Sequence, residues 1–214
     1  MDGKECIRVE AVRGTAPGPA WSFAVGRGEA LWIPDPADSG RAWLDWLTGI
    51  EAPPAGQVFW KGVEWRERGP GEASAERGRM GCVFGSGGVV MNLDMDENVW
   101  LPSRMHRREE AAAASIERWA GFFGCRPLPQ ERAPAVRERD RRRLLWTRAF
   151  AGNPEALVLE HPLRGAPAED RALFREAVRQ ARAEGCAVVW LDETMEAETR
   201  AALEPLASAA PAPN

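Results

Sequence analysis

The sequence contains no tyrosine, and its histidines are limited to His106 and His161. So small a supply of imidazole argues against a histidine-based metal cluster, and no metal site is expected. Cys6, Cys82, Cys125 and Cys186 lie far apart with no Cys-x-x-Cys pair. That spacing indicates neither a zinc site nor a disulfide framework, and the thiols read as buried and reduced. No apolar run approaches the roughly 20 residues that a membrane-spanning helix needs. The opening MDGKECIRVE lacks the apolar stretch of a secretory signal, so the chain is expected to be cytoplasmic. Nor does one sign of charge dominate: 32 acids against 28 bases leave a net charge of -4, which gives no global reason to expect nucleic acid as a partner.

What is present is apolar content of 44% over 214 residues, enough for one substantial core and a single domain, placed here at residues 1–206. Short β-type runs recur: CIRVEAV, AWSFAV, EALWI, GQVFW, MGCVF, ALVLE and CAVVWL. The last two are dense in apolar residues, as strands covered on both faces should be. Helical patterns fall at 41–47, 104–123, 134–151, 167–184 and 195–206, and the alternation of strand and helix predicts an α/β sheet. Early strands joined by short turns predict an attached antiparallel sheet. The mainly helical stretch of about 92–152 predicts an inserted helical subdomain, and the Pro-rich tail 207–214 is expected to be disordered. Most tryptophans, among them Trp32, Trp43, Trp46, Trp60 and Trp190, occupy strand or amphipathic positions that suit packing. The basic run RERDRRRLLWTR is broken by Glu138 and Asp140 and reads as a solvated helix face.

The stretch IPDPADSGRAWLDWLTG, Ile33 to Gly49, has the layout of a phosphate-binding loop between a strand and a helix, but no lysine. With GEALWIPDPADSGRAWLDWLTGIEAPPAGQVFWKG, GCVFGSGGVVMNLDMDENVWLP and RRRLLWTRAFAGNPEALVLEHPLRG in that order, nearly the whole chain resembles the ATP-binding subunit of ABC transporters. Gly87, Gly88, Asn92, Leu93, Glu97, Asn98, Val99, Leu101 and Pro102 resemble most the Mla-type lipid and organic-solvent branch. The resemblance implies a P-loop NTPase-like ABC ATPase fold: a mixed sheet with an antiparallel β-subdomain and an inserted helical subdomain.

The motifs that carry chemistry depart from the family pattern. Aligned on Gly49, the family's loop glycines fall on Pro34, Ala37 and Ser39, its lysine on Gly40 and its magnesium-binding hydroxyl on Arg41. A shift of one residue puts Arg41 on the lysine and Ala42 on the hydroxyl. Ser39, Gly40, Arg41 and Ala42 are therefore the phosphate-loop positions if nucleotide binds at all. Pro34 and Pro36 lack N–H donors, and Asp35 and Asp38 bring negative charge to where an anion would sit. Like unit charges at 4 Å repel by about 1 kcal/mol in water and about 4 kcal/mol at an effective dielectric of 20. The family's Q-loop glutamine falls on Gly85, its signature LSGGQ on VRERD (Val136 to Asp140), its Walker B Asp-Glu pair on Glu160 and His161, its switch histidine on Glu193 and its D-loop aspartate on Pro167. No catalytic residue is assigned: Gly85, Glu160, His161 and Glu193 are degenerate positions.

The expectation is thus a pseudo-ATPase, a non-hydrolytic structural or regulatory subunit of a membrane transport complex, with lipid as the cargo class implied by the Mla-type branch. It would lie peripherally on the inner face of the cell membrane. The partners implied are an ABC permease and a second cassette, in a homodimer or in a heterodimer with an active ATPase, and no cofactor is expected. Gly85, Val89, Val90, Met91, Leu93 and Met95, next to acids, are the expected docking surface for a permease helix. The alternative is a subunit that retains atypical ATP and magnesium binding with little hydrolysis, through Arg41 and the helix N-terminus. A further alternative is an unrelated α/β module.

Overall fold

Alternation of apolar residues in Glu5–Arg13 (β1) places Ile7 and Val9 in the core. The strand pairs antiparallel with Trp21–Gly26 (β2) on one side and Ala55–Trp60 (β4) on the other, and Val63–Glu64 (β5) completes a sheet of order β2-β1-β4-β5. Ala11, at φ 49, interrupts the register. A Cβ on Gly56 would stand 2.5 Å from the Glu10 carbonyl oxygen, so only glycine fits against this irregularity. The computed structural model describes residues 5–14, 19–34, 40–86 and 88–208.

The second sheet is parallel, of order β6-β7-β8-β3-β9, from Met80–Val83 (β6), Ala156–Glu160 (β7), Ala187–Asp192 (β8), Ala30–Pro34 (β3) and Leu206–Ser208 (β9). All of β7 is buried, which explains its unbroken apolar sequence. The pleat splits its side chains. Val158, with Ile33, Val189 and Leu191, faces the layer formed by the antiparallel sheet and Gly40–Leu47 (α1). Leu157 and Leu159 face Glu138–Phe150 (α5) and Ala168–Ala183 (α6), where the rings of Trp119, Phe123, Trp146, Phe150, Phe174 and Trp190 run in successive contact.

Between β6 and β7 lies the helical insertion: Met95–Met105 (α3), Glu109–Phe122 (α4) and α5, packed on Met95, Val99, Ile116 and Leu144. The helix expected over 104–123 is divided, because Arg107 turns the chain at φ 51 and α3 begins earlier, at Asp94. The pattern at 134–151 opens as a 3-10 turn at Ala133–Ala135 before α5 proper. Pro70–Arg77 (α2) was not expected. Of 195–206 only Ala197–Ala202 (α7) is helical; the expected domain end at 206 falls inside β9, which adds to the sheet beside β3. Residues 209–214 of the expected tail lie outside the described residues.

Among the described residues no helix is long and apolar enough to cross a membrane. The sheet arrangement and helical insertion are those expected from the sequence.

Candidate functional site

The carboxyl ends of β3, β6, β7 and β8 bring the candidate positions to one edge of the parallel sheet. Strand β3 ends at Pro34 and α1 begins at Gly40; Ser39, with Asp35 and Asp38, lies outside the described residues. Arg41 follows in the first turn of α1. Its Nε donates to both carboxylate oxygens of Asp45, at 3.2 and 3.0 Å, and its guanidinium carbon stands 5.4 Å from the Phe84 ring centroid. Ala42 packs against the core and offers no side-chain polar atom.

Glu160 closes β7 and is buried. Its Oε2 accepts a hydrogen bond from the Gly85 N–H at 3.0 Å. A Cβ on Gly85 would lie 3.0 Å from His161 Cδ2 and 3.2 Å from Glu160 Cγ. Glycine at 85 therefore matches the long carboxylate and the imidazole opposite it: each altered position is shaped to the others.

His161 is buried and held at φ 43, in the left-handed region. Its N–H donates to the Leu191 carbonyl at 2.9 Å, and its Nδ1 is 3.1 Å from Asp192 Oδ1. Trp32 Nε1 donates to the Asp192 carbonyl at 3.0 Å, so β3, β7 and β8 are tied at one point. Glu193, on which the family's switch histidine falls, is exposed, and among the described residues no hydrogen bond or ion pair reaches its side chain. Sequence reading missed Asp192. The signal was a carboxylate ending an apolar strand one residue earlier.

Of the VRERD arginines, Arg139 is engaged within the molecule. Arg139 donates from Nε and Nη2 to Asp170 at 3.0 and 2.8 Å, and Arg143 also pairs with this carboxylate, which is fully buried at the start of α6. Burial opposes ionisation of Asp170, yet hydrogen bonds from Arg139 and Arg143 outweigh it and hold the pKa below its ordinary value.

A groove of about 440 Å³ opens between β6, α3, α4 and α5. Of the expected docking residues, Val89 and Val90 line it, whereas Gly85, Leu93 and Met91 do not, although Met91 is exposed. Met95 is a correction: it is 0% exposed, in the core of the helical insertion, and cannot meet a partner. The neighbouring acids also serve the fold, since Asp94 caps α3 and the Glu97 carboxylate accepts from the Asp94 N–H at 3.0 Å.

Among the described residues, no group of three or more His, Cys, Asp and Glu side chains could hold a metal ion. Among the described residues at this edge, the Glu160 carboxylate accepts from the Gly85 N–H, His161 stands against Asp192 and Arg41 pairs with Asp45.

No family model matches the chain. It is similar to Nod factor export ATP-binding protein I of Ralstonia nicotianae, 28% identical over 183 residues that make up 84% of this chain and 55% of that protein. It is also similar to phosphate import ATP-binding protein PstB 2 of Natronomonas pharaonis, 26% identical over 82% of this chain and 65% of the relative. The chain thus spans a little over half the length of these relatives. Their names carry ATP binding, which stands against the expectation of no cofactor. Among solved structures, the dimeric MJ0796 bacterial ABC transporter cassette superposes with a TM-score of 0.76 at 17% identity, over 92% of this chain and 90% of that one. The same cassette bound to ADP and Pi gives 0.73 at 17% identity, over 88% of each chain. Fold and sequence agree: the chain has the ABC ATPase cassette fold and is similar along most of its length to the ATP-binding proteins of ABC transporters.

Proposed function

We propose that this chain is a non-hydrolytic cassette, a structural or regulatory cytoplasmic subunit that binds a membrane permease and a second cassette. One observation carries the reading: Gly85, Glu160 and His161 are packed against one another, with Glu160 Oε2 accepting from the Gly85 N–H and a Cβ at 85 placed 3.0 Å from His161 Cδ2. Carboxylate and imidazole are spent on holding the sheet edge together, where hydrolysis would need a free metal ligand and a base directed at water. The similarity to transporter ATP-binding proteins and the dimeric state of the MJ0796 cassette support the two partners. A lipid cargo is proposed from the Mla-type resemblance of residues 87–102 alone.

The permease is proposed to enter the groove at Val89 and Val90, with Met91 and Met105 on its rim, 57% and 71% exposed. Flexible thioethers suit an apolar helix face. The second reading, retained ATP binding, draws on the relatives' names and on Arg41 at the start of α1; the pairing of Arg41 with Asp45 argues against it.

The test combines phosphate release with crosslinking. The purified chain should release phosphate from Mg-ATP at the rate of a protein-free control. A photo-crosslinker at position 105 should capture a cytoplasmic loop of a multi-spanning membrane protein. Turnover above that control would remove the non-hydrolytic reading, and crosslinks confined to soluble proteins would remove the permease.

A further inference from the structure

Arg148 stands in the wall of the groove and is 9% exposed. Its Nη1 donates to the Gly88 carbonyl, and its guanidinium carbon lies 5.9 Å from the Phe84 ring centroid. No carboxylate among the described residues pairs with it, and burial lowers its pKa from the ordinary arginine value. Arg108, in the same wall, also spends itself on a backbone carbonyl, that of Gly78 at 2.7 Å. Among the described residues no Asp or Glu lines the groove. Burial first, then Arg108 and Arg77, push the His106 pKa below its ordinary value, so the imidazole disfavours the charged form. The rest of the lining is mainly apolar.

A buried cation without a counter-ion is costly, and truncating either member of such a pair once formed is costly too. An incoming group that supplies a carboxylate as it covers the apolar wall therefore gains on both terms. Val90 and Met105 in the lining, and Met91 next to Val90, are exposed, so the matching ligand has an apolar face.

We propose that the groove selects a short amphipathic helix whose apolar face carries one carboxylate, and that this carboxylate pairs with Arg148. The proposal rests on the docking reading above and adds the chemistry that chooses the partner.

The test uses the full chain and labelled helical peptides of about 15 residues. Each has a leucine and alanine face, with Glu, Gln or Lys at its centre, and binding is followed by fluorescence anisotropy. The Glu peptide should bind at least about tenfold more tightly than the Gln peptide, and the Lys peptide more weakly than both. In Arg148→Met the Glu advantage should fall below about twofold. Arg148→Gln, which keeps a donor for the Gly88 carbonyl, takes its place if circular dichroism shows that the Met variant does not fold. Equal binding of Glu and Gln peptides would overturn the proposal and leave the docking reading standing. A Glu preference that survives in the folded Arg148 variant would overturn the assignment to Arg148. If no peptide in the set binds, the docking reading falls and the proposal with it.

Discussion

His161 and Asp192 join the carboxyl ends of neighbouring parallel strands, Nδ1 to Oδ1 at 3.1 Å, while the histidine backbone sits at φ 43. A left-handed conformation at a non-glycine residue is strained, and a β-branched side chain makes it worse. The pair holds that strain in place, at an edge where the family pattern expects a carboxylate in the histidine's position.

This geometry orders substitutions at 161. His161→Val should destabilise the chain by about 2 kcal/mol or more, and His161→Asn by less, because asparagine tolerates positive φ. Urea unfolding of both variants measures the difference. Equal losses would show that the backbone conformation contributes little.

Restoring a family residue should not restore the family's activity. Gly85→Gln forces its Cβ to within 3.0 Å of His161 Cδ2 and 3.2 Å of Glu160 Cγ, so the variant should be less stable, with phosphate release unchanged. A thermal shift and a phosphate assay on one preparation test both statements. A stable Gly85→Gln variant with measurable turnover would contradict them.

The helix that carries VRERD is anchored through Asp170. Asp170→Ala should cost about 2–3 kcal/mol, since it leaves Arg139 and Arg143 without their shared acceptor. The folded pKa of Asp170 is depressed below its ordinary value of 3.8. Its contribution is therefore complete above about pH 4 and is lost as pH falls through the lower folded value. Wild type and Asp170→Asn should converge in stability under strongly acid conditions; a gap independent of pH would contradict the ionised pairing.

Strand β6 is fitted to α5 at Gly81, where a Cβ would stand 1.9 Å from the Ala149 carbonyl oxygen. Gly81→Ala should cost about 3 kcal/mol by forcing β6 and α5 apart, and it should loosen the groove between them. Hydrogen exchange at β6 and α5 measures this, with faster exchange in both elements expected. Unchanged protection would show that the helix shifts freely.

Strands were legible because their apolar density has little competing explanation: ALVLE and CAVVWL became the fully covered β7 and β8. The start of α3 was not. Asp94 and Glu97 read as acids beside a docking patch, yet the two acids form the cap that lets α3 begin. Met95 was misplaced for the same reason, since helical phase buries it while Val90 and Met91 stay exposed. At the site, residue types pointed to Glu160, His161 and Gly85. Their mutual packing, and the pairing of His161 with Asp192, depend on strand register and a left-handed backbone, which a linear pattern does not reveal. The basic run read as a solvated helix face, and the linear pattern did not show that Arg139 and Arg143 converge on the buried Asp170 carboxylate.

The central claim is that carboxylate, imidazole and guanidinium at this sheet edge are engaged with each other's neighbours and leave no grip for a magnesium triphosphate. Isothermal titration calorimetry of the purified chain with Mg-ATP tests it most directly. The account predicts no saturable heat up to millimolar nucleotide; saturation in the micromolar range, at one site per chain, would contradict it.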